Sequence, residues 1–172
     1  MSKRNTRGAV ALCALTLMLA PSAHADAAKD VQVAGRALTF LENGPTGKAV
    51  LGVVFDPSKP ASVAEKNAVM AAIGGGMSAG AVTLTAKPVE VSAVSGVSGV
   101  AALYVTTGVN VGAAAKAKKL ITIGSDTSCA TSGACVMSVS ADPKVEIVVN
   151  RAAAAGVGAV FKAAFRMMIR EV

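Results

Sequence analysis

Leu120-Ile121-Thr122-Ile123-Gly124-Ser125-Asp126 opens the stretch that decides the fold, which runs on as TSCATSGACVMSVSADPKVEIVVNRAAAAGVGAVFKAAFRMMIREV from Thr127 to Val172. A short apolar run breaks at Gly124-Ser125-Asp126, and a tight loop carrying Cys129 and Cys135 follows. Two alternating runs, Ala134 to Ser140 and Val145 to Val149, flank Ala141-Asp142-Pro143-Lys144, which reads as two strands around a turn. The periodicity then changes. Val157, Phe161, Ala164, Phe165 and Met168 recur at helical spacing, and Lys162, Arg166 and Arg170 stand four apart on another face, predicting a terminal amphipathic helix. One reading gives that helix a core face and a solvated face. The other has Phe161, Phe165 and Met168 reach a partner surface, where methionine is adaptable.

Working back from this stretch, helix and strand signals alternate, which predicts a single-domain α/β sandwich with a mixed central sheet covered by helices. Lys29 to Glu42 has the spacing of a helix, stopped by Asn43-Gly44-Pro45. Ala49 to Phe55 is a continuous apolar run of strand length, as expected for an interior strand covered on both faces. Ser62-Val63-Ala64-Glu65 is a capping-box pattern, so a second helix should run from there to about Ile73. Ala81 to Thr85 and Pro88 to Ala93 are short strands on either side of a turn, Ala101 to Thr106 is another buried strand, and Gly112 to Lys119 is a helix. The glycines of Gly74-Gly75-Gly76 follow a helix instead of opening one and have no basic P-loop residue, so they end a helix and do not cradle phosphate.

The start of the chain reads as an address. Lys3, Arg4 and Arg7 precede an apolar core from Ala9 to Ala20, and Ala23-His24-Ala25 supplies the small residues a signal peptidase needs, which predicts a signal peptide over residues 1–25 cut after Ala25. The apolar core is too short for the ~20 helical residues that a bilayer requires. A domain over residues 26–172 in the periplasm is expected. Of the 17 Lys and Arg, three leave with the address, so 14 face 10 Asp and Glu and the net charge of +7 falls to +4. Nucleic acid is excluded as a partner by this modest charge, by export, and by the lack of stacking residues: one Tyr, four Phe and no Trp. Lys116, Lys118 and Lys119 form the one basic cluster, read as a solvated helix end.

The chemistry left in the mature chain is sparse. Its only histidine, His24, goes with the signal peptide, which removes the commonest general base and metal ligand. No spaced pair of carboxylates sits in a recognisable motif, so the chain is read as no enzyme, with no catalytic residue and no cofactor. Cys129 and Cys135 lack the two further soft ligands of a metal site and the two-residue spacing of a redox motif. In an oxidising compartment such a pair forms a structural disulfide, whose seven-residue loop contributes about 2.4 kcal/mol on the chain-entropy model.

Several segments resemble the YfiR-like family of exported bacterial proteins: Thr122 to Asp126, Ser132 to Met137, Val145 to Ala153, and the basic apolar end of the chain. Upstream, Val33 to Phe40 resembles the family's first helix and Val50 to Pro57 its first strand. The resemblance implies a compact α/β sandwich, a homodimer, and a regulatory role in which the protein holds down a membrane-anchored signalling protein, a diguanylate cyclase in the family's best understood members. Phe40-Leu41-Glu42-Asn43 departs from the family's aromatic run ending in Trp-Pro, so contacts of that Trp do not transfer. The leading expectation is thus a periplasmic regulator of cyclic-di-GMP signalling. The alternative is a periplasmic small-molecule-binding protein with a ligand at the strand ends near Asp56, Ser125 and Asp126, where open α/β sheets bind.

Overall fold

The computed structural model describes residues 23–172, with side chains described from Ala27 onward. The predicted signal peptide therefore lies outside the described residues, except for Ala23-His24-Ala25, whose backbone starts helix α1 (Ala23–Leu38). Among the described residues no helix is long and apolar enough to cross a membrane.

One mixed sheet of eight strands carries the fold: β1 (Gly47–Phe55), β2 (Met77–Ala79), β3 (Val82–Glu90), β4 (Ala102–Val105), β5 (Thr122–Gly124), β6 (Met137–Ser140), β7 (Glu146–Val149) and β8 (Arg170–Glu171). Their spatial order is β2-β3-β1-β4-β5-β6-β7-β8. The apolar run Ala49 to Phe55 lies near the centre of one half of the sheet, with β3 and β4 parallel on its two sides. Parallel pairing continues through β5 and β6, and antiparallel pairs occur at β2–β3 and in the β6–β7 hairpin.

Both faces of the sheet are covered, so its strands bury both sets of alternate side chains. On one face α1 and α2 (Pro60–Ile73) bring Val31, Ala34, Leu38, Val69 and Ile73 onto Leu51, Val53, Leu84, Tyr104 and Ile123. On the other, a 3₁₀ helix (Val91–Gly96) and α3 (Gly112–Ala117) bring Val94 and Ala115 over Val54, Leu103 and Val105. In β4 the alternation is complete, with Ala102 and Tyr104 in the first core and Leu103 and Val105 in the second. Each large aliphatic side chain buried in this way stabilises the fold by about 1.5–3 kcal/mol.

Several boundaries differ from those read in the sequence, each for a physical reason. α1 ends at Leu38, not Glu42, because the amides of Thr39, Phe40 and Leu41 tighten to bond three residues back and Leu41 then bridges Phe161. α2 begins at Pro60, whose missing N–H and fixed φ suit a first turn, so Ser62 lies inside the helix and the capping box does not form. The two strands expected on either side of Lys87 are one strand, β3. Its Pro88 is tolerated because β2 covers only Val82 to Leu84, leaving the stretch with Pro88 as an edge. The cysteine loop contains a short helix, α4 (Thr127–Thr131).

The terminal amphipathic helix is the largest correction. α5 (Arg151–Val157) stops at Gly158, whose left-handed φ of 73° caps it, and the chain continues as α6 (Ala163–Arg166) and then β8. Phe161 and Phe165 are buried and stacked on each other at 5.2 Å, with Phe40 stacked on Phe165 at 5.0 Å. They are core residues and cannot face a partner, whereas Met168 is 63% exposed.

The tightest contact between layers is at Gly35 of α1. A Cβ there would lie 2.6 Å from the Ala79 Cβ and 2.6 Å from Leu84 Cδ1. Gly35→Ala should therefore destabilise the protein by about 1–3 kcal/mol, measured as a lowered urea midpoint. Gly75→Ala, which meets nothing within 4 Å, should leave that midpoint unchanged or raise it slightly.

Candidate functional site

The parallel strands β1, β4 and β5 end on the same side of the sheet, and the carboxylate of Glu65 lies over those ends. Its Oε1 accepts from the Tyr104 hydroxyl at 3.0 Å and from Ser125 Oγ at 2.7 Å. Its Oε2 accepts from both the amide and the hydroxyl of Thr107, each at 2.6 Å. Burial, and next the nearby charge of Glu65, push the Tyr104 phenol well above its usual range, so it remains a neutral donor. One helical turn earlier, the fully buried Ser62 accepts from the Asp56 amide at 2.9 Å and lies 2.6 Å from Thr106 Oγ1. Thr106 Oγ1 gives its single proton to Val54 O at 2.9 Å, so in the Ser62–Thr106 pair Ser62 is the donor.

This arrangement occupies the crevice at the ends of β1 and β4, where an open α/β sheet usually takes its ligand. The Asp56 carboxyl is engaged by its own loop. Two hydrogen bonds from Ser58 hold the Asp56 carboxyl below its ordinary value, with Lys59 3.6 Å away adding to the effect. Asp126 is the N-cap of α4, and its bond from the Ser128 amide at 2.8 Å lowers its pKa too. Of the three residues expected to form a ligand loop, Ser125 and Asp126 line a common cavity of 250 Å³ together with Thr106, Thr107 and Asn110. Asp56 is not part of that lining.

A larger cavity of 640 Å³ opens between α3, α5 and the loop after α4. Its polar side chains are mostly engaged: Thr122 Oγ1 accepts from Val136 N at 2.9 Å, and Asn150 caps α5 through Ala153 N while donating to Ala130 O. Lys116 is the one charged residue in its lining, and Lys118 and Lys119 do not line it, so the three lysines do not form a shared site.

Cys129 and Cys135 are disulfide-bonded, with Cα atoms 5.1 Å apart, and they tie α4 to the approach to β6. The bridge lies on Gly124 of β5, where a Cβ would come within 3.3 Å of both sulfurs. Gly124 thus belongs to the clamp, which the cysteine spacing alone does not reveal. Glu65 is the other residue the sequence reading missed, since its place in an apparent capping box conceals its role. Among the described residues no three His, Cys, Asp or Glu side chains gather as metal ligands. The carboxylate at the centre receives four hydrogen bonds from the protein itself, an arrangement suited to joining elements.

No family model matches the chain, and no curated protein matches it. Among solved structures, it is similar to a conserved domain protein from Vibrio cholerae O1 biovar eltor, with a TM-score of 0.55 and 14% sequence identity. The match covers 84% of this chain and 59% of that one. It supports a single-domain α/β fold with a mixed sheet.

Glu65→Ala leaves the buried Tyr104 hydroxyl without its acceptor, and should cost about 1–3 kcal/mol in urea unfolding, with Glu65→Gln costing less. A second expectation concerns acid. Asp56, Asp126 and Glu171 all have lowered folded-state pKa values, so the native protein binds fewer protons than the unfolded chain. Their contribution is complete above the ordinary carboxylate range and is lost as pH falls through the folded values. Asp126→Asn preserves the cap and should flatten this acid limb in melts recorded from pH 6 downward, while Asp126→Ala should cost about 1 kcal/mol at pH 7.

Proposed function

We propose that this chain is a periplasmic regulatory protein that binds and modulates a membrane-anchored signalling protein, by its YfiR-like resemblance a diguanylate cyclase. The observation that carries this reading is the saturation of the strand-end site. Glu65, Ser62, Thr106, Asp56 and Asp126, the groups with which an α/β enzyme or binding protein would hold a ligand there, are spent on α2, α4 and the adjoining loops. On this reading the protein acts through its surfaces. The disulfide supports export, since such bonds persist in oxidising compartments.

The small-molecule reading has one specific observation in its favour, the 640 Å³ cavity, which is large enough for a metabolite. On that reading the ligand would lie between α3 and α5, and not at Asp56.

Crosslinking in intact cells, followed by purification of the tagged protein from detergent-solubilised membranes, should recover a membrane protein with a periplasmic domain and a cytoplasmic cyclase or kinase domain. Recovery of no such protein, together with unchanged cyclic-di-GMP on deletion, would remove the regulatory reading.

A further inference from the structure

All five large apolar side chains that stand exposed among the described residues lie between Val145 and Val172: Val145 (59%), Val160 (60%), Met167 (88%), Met168 (63%) and Val172 (36%). They surround the outer edge of the sheet. β7 and β8 are parallel, so the end at which Val145 enters β7 is the end at which Met167 and Met168 turn into β8. Val172 follows at the other end of β8, where its carbonyl accepts from the Arg151 amide at 2.9 Å. Val160 and Arg151 both line a groove of 390 Å³ between α5, α6 and β8.

The same segment is basic. From Lys144 to Val172 it carries five Lys and Arg against Glu146 and Glu171. The two acids are already committed, Glu146 to Arg170 at 3.2 Å and Glu171 to Arg166 at 2.8 Å. The Arg151 guanidinium makes no hydrogen bond or ion pair within 4 Å among the described residues, although its charge is felt at Glu171. Protruding apolar side chains interspersed with unneutralised cations are complementary to an anionic lipid surface, which takes side chains without a matching pocket and attracts each cation near it.

We propose that this edge, with Met167 and Met168 inserted and Lys144 and Arg151 at the headgroups, rests on an anionic lipid surface. A partner strand is the weaker occupant, because β8 offers only two residues on which to template it. A protruding Met167 that is 88% exposed also has no cleft of its own to complete. The proposal stands independently of the regulatory reading, because it needs no protein partner.

The test is flotation of the purified, disulfide-intact protein with vesicles of phosphatidylcholine alone and of phosphatidylcholine mixed with phosphatidylglycerol, at low and high salt. At about 1 kcal/mol per cation near the surface, binding to the anionic vesicles should be at least about ten-fold tighter and should weaken with salt. Met167→Asp with Met168→Asp should abolish it, and both sites are exposed enough to leave the thermal midpoint unchanged. Lys144→Glu with Arg151→Glu should reduce it about ten-fold or more. Equal binding to the two vesicle types, no binding to either, or loss only on Lys118→Glu with Lys119→Glu would overturn the proposal. It would also fall if the wild type dimerised in sedimentation and the methionine variant did not while vesicles bound neither, since the occupant would then be a second copy.

Discussion

The carboxylate of Glu65 is the constraint on which this architecture depends. A helix laid across parallel strands meets amides and hydroxyls at the strand ends, and those that it covers must find acceptors in the protein. One side chain on α2 supplies four of those bonds, to β4, to the loop after it and to the residue after β5. Ser62, a turn away, does the same for β1 through Asp56 and Thr106. Together they fix the height and rotation of α2 over the sheet. Among the described residues no buried side-chain polar atom is left without a partner. Polar groups that other α/β proteins direct at a ligand here join α2 to the strand ends, beside a cavity of 250 Å³.

The parts of this fold that are legible in the sequence are those set by local pattern and burial. Ala49 to Phe55 announces an interior strand because it lies between two covered faces, and the alternation around Asp142-Pro143 announces a hairpin because one turn sets its register. The Ser62 and Glu65 pair shows where local pattern misleads. The same four residues would cap a helix start, but Pro60 starts the helix earlier and both side chains turn to tertiary partners more than forty residues away. At the chain's end, the spacing from Val157 to Met168 is helical, yet Gly158 interrupts it and the stacking of Phe161 on Phe165 bends the segment back. The strand-end position of Ser125 and Asp126 could be inferred from the break at Gly124. That Glu65 would already hold Ser125 could not, since nothing near Glu65 in sequence records the strands above which it lies.

Small side chains allow the layers to come this close. Gly35 admits α1 to β2 and β3, Gly52 admits Leu103, and Gly124 admits the disulfide. With so few aromatic residues, the core is built from Val, Ala and Leu, and three of the four phenylalanines are gathered in one stack of Phe40, Phe165 and Phe161. The fourth, Phe55, lies under the Lys66 ammonium at 4.8 Å.

That stack joins the exit of the first helix to the last segment of the chain. Glu42 donates to Val160 O, Lys162 donates its amide to Phe40 O, and its ammonium reaches Thr39 O across 123 residues of sequence. A contact of such long range forms late, because the loop it closes is almost the whole domain. A chain emerging from a ribosome or a translocation channel amino end first thus has every described strand but β8 synthesised before the end of α1 can be covered. Until the dozen residues from Phe161 to Val172 arrive, Phe40 lacks its stacking partner and Leu41 its bridge, an interval in which this end of the first helix is open to a chaperone or to another unfinished copy of the protein.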